Sequence, residues 1–281
     1  METVCKGKQW DVLLAWSGGQ VCGAMPFLFG KRLGIKYILQ PQLTPWSGPW
    51  LRDGLDAAAR QATLETLASA LRAQKALLCM QRFAPGMTDC QPFTRLGFRQ
   101  TARRTYRFDP LQPVDVLMKG AQPQRRKRMA LLREECSTDR AVGVAEFTAF
   151  HNSYHLRRSG KNIVGTALVE AVCAAALDRG QGLIYGLRDA AGRLLTADFV
   201  VYDEHCAYSL LSGLADGAPR NCTTLLFWEI LDALQDRTAA FDFEGSMDPG
   251  TEQFFSSFGA TRTPLIQIEH SRIPFIDRIL L

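Results

Sequence analysis

Asp242 and Glu244 alternate with Phe241 and Phe243 near the end of this chain. On a strand, that alternation turns both carboxylates to one side and both rings to the other. A carboxylate beside apolar groups can be tuned for general acid–base work, taking a proton from a reacting group and returning it. The plainer reading is structural, with Asp242 bonded to a neighbouring turn. Tyr208 and Tyr185 fall in β-rich runs and could each place a hydroxyl at a leaving group; packing with the hydroxyl satisfied is the alternative for either.

A second set of residues could hold an anion. Ser212 opens a loop that reaches Cys222, and a helical run begins near Thr223. Arg220, with the positive end of that helix, could grip one phosphate or carboxylate, while Asn221 or Thr223 could equally act as a plain N-cap. Arg125, Arg126, Lys127 and Arg128 form the densest basic cluster. It reads either as a solvated helix face or as a site for a phosphate-bearing substrate such as a nucleotide-linked precursor or tRNA. No aromatic residues interleave with it, so a dedicated nucleic-acid module is not indicated. His151 and His155 have the i, i+4 spacing that can hold zinc. The intervening Glu is absent and no third ligand is evident, so no metal is expected.

The elements that must position these groups occur twice. Phe93-Thr94-Arg95-Leu96-Gly97 matches Phe255-Ser256-Ser257-Phe258-Gly259, 162 residues later. Each copy follows a helical stretch (Leu55 to Leu71; Thr223 to Leu234) and a short apolar run, and each precedes an alternating strand. Repetition of helix, strand, short helix, Gly, strand means two copies of one α/β unit. In the second copy, helices at 147–157 and 166–178 precede a meander over 183–188, 194–202 and 206–211, joined by tight polar turns. The first copy begins with a hairpin, 11–16 and 21–29, and has a long loop over 41–54. Asp109-Pro110-Leu111-Gln112-Pro113 reads as the linker, and 115–135, interrupted by Gly120 and Pro123, as a basic connecting helix.

Composition fits two soluble domains, with 47% hydrophobic and 22% charged residues over 281 positions. No apolar run approaches the roughly 20 residues that span a bilayer, and no signal peptide is visible. The eight cysteines form no Cys-x-x-Cys pair. A reducing cytoplasm is the expected location. Charge is unevenly placed. Residues 1–133 carry 21 Lys/Arg against 8 Asp/Glu (+13), and residues 134–281 carry 12 against 20 (−8). An anionic partner is therefore expected near the first part.

These residues carry a family resemblance. Phe241-Asp242-Phe243-Glu244-Gly245-Ser246 followed by Phe254-Phe255-x-x-Phe258-Gly259-Ala260 resembles the closing segment of FemAB-like proteins, which pair two GNAT-like domains. Tyr154-His155-Leu156-Arg157-Arg158, Gly192-x-x-x-x-Ala197 and Leu43-Thr44-Pro45-Trp46-Ser47-Gly48-Pro49 are similar to other segments of that group. The resemblance implies an α/β (α+β) fold of two tandem GNAT-like domains. Each would be a mixed, mostly antiparallel sheet flanked by helices: a degenerate one over 1–113, and one over 114–281 that includes the connecting helix.

It also implies an N-acyltransferase that moves an acyl or aminoacyl group to an amine, in a cleft between or within the domains. The acceptor would be a small-molecule or peptide amine, including nucleotide-linked ones. The donor would be acyl-CoA or aminoacyl-tRNA, with no tightly bound cofactor. Glu244, Asp242 and Tyr208 are then the candidate catalytic residues, and Tyr185, Ser212, Arg220, Asn221, Arg125 and Arg126 the candidate binding residues. One departure favours a second reading. GNAT enzymes hold the CoA pyrophosphate with a glycine-rich loop that FemAB-like relatives tend to lack; here Ala215-Asp216-Gly217-Ala218-Pro219-Arg220-Asn221-Cys222 has one glycine, and Pro219 lacks an N–H. A non-catalytic protein that uses the tandem fold to bind an anionic ligand or a partner is the alternative.

Overall fold

Leu13 and Ala15 are buried while Leu14 and Trp16 are exposed, the period-two signature of a strand with one covered face. The computed structural model describes residues 1–5, 7–120, 123–162, 164–245 and 249–271, and only the backbone of 124, 125 and 249. The first elements are strands β1 (Gln9–Ser17), β2 (Gln20–Arg32), β3 (Ile35–Leu39) and the short β4 (Trp50–Leu51). Helix α1 (Ala57–Ala73) follows, capped by the Asp56 carboxylate, which accepts from Ala59 N at 2.7 Å. Its buried residues Leu64, Leu67, Ala68 and Leu71 recur at helical spacing and cover the sheet. Strand β5 (Leu78–Arg82), helix α2 (Gln91–Arg95) and strand β6 (Arg99–Phe108) complete the first pass.

The connecting segment holds two helices, α3 (Val114–Gly120) and α4 (Pro123–Glu135), and strand β7 (Cys136–Asp139). The basic connecting helix expected over 115–135 thus forms as two helices on either side of the expected interruption at Gly120 and Pro123, where helix propensity is lowest. Helices α5 (Val144–Ser159) and α6 (Thr166–Asp178) come next. Then follow the meander β8 (Gly182–Asp189), β9 (Leu194–Tyr202) and β10 (Ala207–Leu214), helix α7 (Cys222–Leu234), β11 (Phe241–Asp242), α8 (Pro249–Ser256) and β12 (Thr261–Ser271). Among the described residues no helix is long and apolar enough to cross a membrane.

The chain forms two compact units, Met1–Arg103 with Pro264–Leu281, and Arg104–Thr263. Each has its own apolar core. The first unit's sheet runs β1-β2-β3-β5-β12, with β4 beside β2; the second's runs β6-β11-β10-β9-β8-β7. In both, an antiparallel meander is followed by a helix and then a strand parallel to the meander's last. Tyr37 pairs with Leu78 in one unit, and Ala207 with Phe241 in the other. Both are mixed, mostly antiparallel sheets flanked by helices. The division does not fall at residue 113. Tyr106 and Phe108 belong to the second core, and β12 returns to pair with β5 (Gln267 opposite Arg82).

The sequence repeat is also a geometric one. Gly97 and Gly259 both have φ of 85°. Gly97 N donates to Thr94 O at 3.0 Å, and Gly259 N to Ser256 O at 3.0 Å. A Cβ at Gly97 would meet nothing within 4 Å, and at Gly259 nothing nearer than 3.6 Å. Left-handed backbone alone therefore selects glycine at both sites. Gly97→Ala and Gly259→Ala should each destabilise the protein by about 1–2 kcal/mol, read as a lower denaturant midpoint. A change confined to one of the two would break the equivalence.

Candidate active site

Strands β10 and β11 pair for only two residues, Ala207 with Phe241 and Tyr208 with Asp242. Strand β10 then continues to Leu214 while β11 stops. Local side-chain chemistry ends β11. Asp242 Oδ1 accepts the Glu244 backbone N–H at 2.7 Å and also the Thr105 hydroxyl. Capturing that N–H turns the chain, and Glu244 takes φ of 56°, a conformation that costs a non-glycine residue about 1–3 kcal/mol. Gly245 completes the turn. A Cβ there would collide with the Arg104 carbonyl oxygen, so only glycine fits.

A cavity of about 560 Å³ opens in the second unit where the two strands part. That size lies within the range of small-molecule sites, roughly 300–1,000 Å³. Ser209 to Leu214 of β10 form one wall, and Phe243 and Glu244 the other. Helix α7 contributes Thr223 and Phe227, α8 contributes Gly250, Thr251, Phe254 and Phe255, and α5 contributes Tyr154 and Arg158. The apolar wall is anchored by Phe243, whose ring lies 4.9 Å from Phe255, 5.1 Å from Phe227 and 5.3 Å from Phe258. Arg158 donates to the Tyr154 hydroxyl at 2.7 Å, one helical turn away. The cavity thus sets a carboxylate and a guanidinium against an aromatic lining.

Two buried groups support the β10 wall. His151 Nδ1 lies 2.8 Å from the Ser212 carbonyl oxygen. Burial holds the His151 ring below the usual imidazole range, so it is neutral at pH 7 and binds that carbonyl through an N–H. The His155 ring sits 4.4 Å away, its proton affinity also lowered by burial and by Arg158. On the next strand, Asp198 is fully buried, and the Ser209 hydroxyl lies 3.0 Å from each of its carboxyl oxygens.

Of the residues expected from sequence, Glu244 and Ser212 line the cavity and Thr223 joins them. Asp242 and Tyr208 do not. The two carboxylates do not share a strand face, because β11 ends before Glu244. Asp242 is 0% exposed, within 3.4 Å of Arg107 Nε in an ion pair without hydrogen-bond alignment. Tyr208 stands opposite Asp242 beside Cys206, and burial raises its phenol well above the ordinary range. Arg107 also contacts Cys206 Sγ at 3.6 Å and Asp109 at 3.3 Å. These groups make a polar knot beside the cavity.

Tyr185 is buried in the core on β8, and Arg220 is exposed on the loop before α7. Asn221 is the left-handed residue preceding α7 (φ 72°) and makes no side-chain cap bond. Arg126 donates to the Met118 carbonyl at 3.4 Å, Lys127 and Arg128 are exposed, and the Arg125 side chain lies outside the described residues. Ser246 likewise lies outside them. Ser209, Tyr154, Arg158 and Thr251 were not singled out for the site. Tyr154 and Arg158 gave one signal, their spacing of one helical turn.

Burial lifts the Asp242 carboxyl to about 6, against the opposing pull of Thr105, the Glu244 N–H and Arg107. A folded-state value above the unfolded ~3.9 means the native state binds more protons between those values. Stability from this group is therefore full below about pH 4 and is lost as pH rises to about 6. The Asp242→Asn variant should lack that slope. Parallel pH–stability curves for the two proteins would show that Asp242 does not titrate there.

No curated protein matches this chain in sequence. Residues 121–256 match the family model of the acetyltransferase (GNAT) domain. Among solved structures, FemX superposes with a TM-score of 0.71 at 12% identity, covering 97% of this chain and 90% of its own. The L-PGS of Bacillus licheniformis gives 0.61 at 13%, covering 99% and 88%. A tandem GNAT protein from the clavulanic acid biosynthesis pathway gives 0.54 at 13%, covering 94% and 84%. Identities this low speak for the fold, and the family match speaks for the domain that holds the cavity. Residues 121–256 thus carry a GNAT acetyltransferase domain, within a chain whose fold is that of FemX and the tandem GNAT protein.

Proposed function

We propose that the second unit transfers an acyl group from a CoA thioester to a primary amine, with Glu244 as the base. The observation that carries this reading is the parting of β10 from β11 with Glu244 at the opening. The β10 edge from Ser209 to Leu214 has lost its strand neighbour on that side, so an extended donor arm bearing amide groups can pair with it. Thr223, in the first turn of α7, lies where the positive end of the helix favours an anionic part of the donor. The clavulanic-acid-pathway relative is described in its structure as being without AcCoA, which points to the same donor.

An amine arrives at neutral pH as an ammonium ion. Glu244 attracts it and accepts one proton. The free amine attacks the thioester carbonyl, the adduct nitrogen gives its second proton to solvent, and collapse of the adduct breaks the C–S bond and leaves an amide and a thiolate. The aromatic lining excludes water that would otherwise hydrolyse the donor. Arg158, held by Tyr154, suits an anionic substituent on the acceptor. Tyr208 keeps its proton and supports the wall behind the site. A second reading, binding without catalysis, draws on the loop before α7: Gly217 is its one glycine, and Pro219 withholds an N–H from any pyrophosphate.

A thermal-shift screen with acetyl-CoA, a UDP-linked precursor and an aminoacyl-tRNA mimic separates these. Stabilisation by acetyl-CoA together with thiol release in the presence of amines supports the first reading. Stabilisation by any of the three without turnover supports the second. In the active protein, Glu244→Gln should lower turnover by ~10²-fold or more, and unchanged turnover would exclude the base role. Arg158→Ala should raise KM for the acceptor and leave kcat near its original value.

A further inference from the structure

A buried carboxyl beneath the cavity floor is left unused by the reaction just described. Asp198 sits on β9, paired in register with Tyr185 on one side and Ser212 on the other, and is 1% exposed. Among the described residues its hydrogen-bond partner is the Ser209 hydroxyl, 3.0 Å from both carboxyl oxygens, and no ion pair is formed. A carboxyl so placed is costly to keep ionised, and as a purely structural element it would be an expensive choice. Ser209 is itself part of the cavity wall.

The backbone explains how the two meet. Ser209 pairs with Val200, and the register then slips so that Leu211 pairs with Phe199 and Ser212 with Asp198. The bulge at Leu210 leaves Ser209 diagonal to Asp198 on one face of the sheet, the separation at which side chains still touch. That is the face on which Thr196 Oγ1 approaches Thr223 Oγ1 of α7 at 3.4 Å. The pair therefore joins the sheet interior to the cavity near the N-terminal turn of α7.

Resting on the acyl-transfer reading, we propose that Ser209 and Asp198 form a proton path to the leaving group. As the C–S bond breaks, the thiolate sulfur takes the proton of Ser209 Oγ–H. Ser209 Oγ in turn takes the proton of the Asp198 carboxyl, leaving Asp198 ionised. Glu244 holds the proton taken from the amine. Exchange with water after product release returns Glu244 to the carboxylate and Asp198 to the acid; with the second amine proton already given to solvent, each turnover releases one proton, as conversion of an ammonium and a thioester to an amide and a thiol requires. Ser209 touches the reacting atoms and is the catalytic residue of the pair. Asp198 acts through it. Full burial, which disfavours the charged form and pushes the Asp198 carboxyl well above the usual range, agrees with a carboxyl that holds a proton to give.

Two measurements test the pair, and the first needs no substrate. In infrared spectra at pH 7, the wild type should show a protonated-carboxyl C=O band that disappears in Asp198→Asn and shifts in Ser209→Ala. If Asp198→Asn removes no such band, Asp198 is ionised and the inference falls. The second uses acetyl-CoA with a mixture of primary amines, following thiol release. Ser209→Ala should slow turnover by ~10–10²-fold. Asp198→Asn keeps an N–H for Ser209 but supplies no proton, so it should slow turnover comparably and change the alkaline limb of the pH profile, with the melting temperature unchanged or raised. An Asp198→Asn protein that melts lower but turns over at the wild-type rate with an unaltered profile would make Asp198 structural and overturn the path. Wild-type protein releasing no thiol would count against the acyl-CoA reading, and the infrared result would still decide whether the pair stores a proton.

Discussion

Everything at the site depends on how early the β10–β11 ladder ends. Parallel strands held by full ladders would close the sheet and leave no opening. Here one side chain, Asp242, takes a backbone N–H that a longer strand would have offered to its neighbour. The strand stops, β10 keeps a bare edge, and Glu244 is turned into the opening. The left-handed conformation of Glu244 is strain held in place by its surroundings, and such strain gathers where geometry must be exact for function. Asp242 thus has a structural part in the site, as the group that ends the strand.

The surrounding packing resists collapse of the opening. Phe241 and Phe243 point to the α7 side, where they meet Phe227, Phe255 and Phe258 in edge-on and tilted contacts. Such rings bury large areas at little entropic cost and prefer these geometries. On the opposite face Asp242, Arg107, Cys206 and Tyr208 share one buried polar region, in which burial pushes the Cys206 thiol up to about 11. The short β11 therefore has an apolar anchor on one face and a polar one on the other. Neither yields easily, since an apolar cavity or an unpaired buried charge would cost several kcal/mol.

Much of this was legible in the sequence. The runs over 166–178 and 194–202 became α6 and β9 with those limits, because apolar periodicity and tight turns act locally. The repeated Phe-x-x-apolar-Gly motif located both left-handed glycines. Glu244 and Ser212 were expected at one pocket and both line the cavity, although Ser212 lies within β10, which runs to Leu214, and not in a loop beginning at that residue. What was not readable depended on contacts distant in sequence. Alternation over 241–244 extends the strand by two residues too many, since nothing in the pattern says that Asp242 will capture a backbone N–H or that Gly245 will pass close to Arg104. The Pro110–Pro113 linker looked like a boundary, but β12 pairs with β5 from far along the chain. The tie between Ser209 and Asp198 depends on a bulge, which composition does not announce.

That distant pairing has a consequence for how the protein is made. The second unit is one continuous stretch, set between the two parts of the first. As the chain leaves the ribosome from its N-terminus, the second unit has all of its residues before the strand that pairs with β5 has emerged. Until then Leu78 to Arg82 present an open edge, which any stray strand could cover, including the β12 of a neighbouring nascent chain. The first unit is begun first, and the strand that closes its β5 edge is supplied only after the second unit's residues have been made.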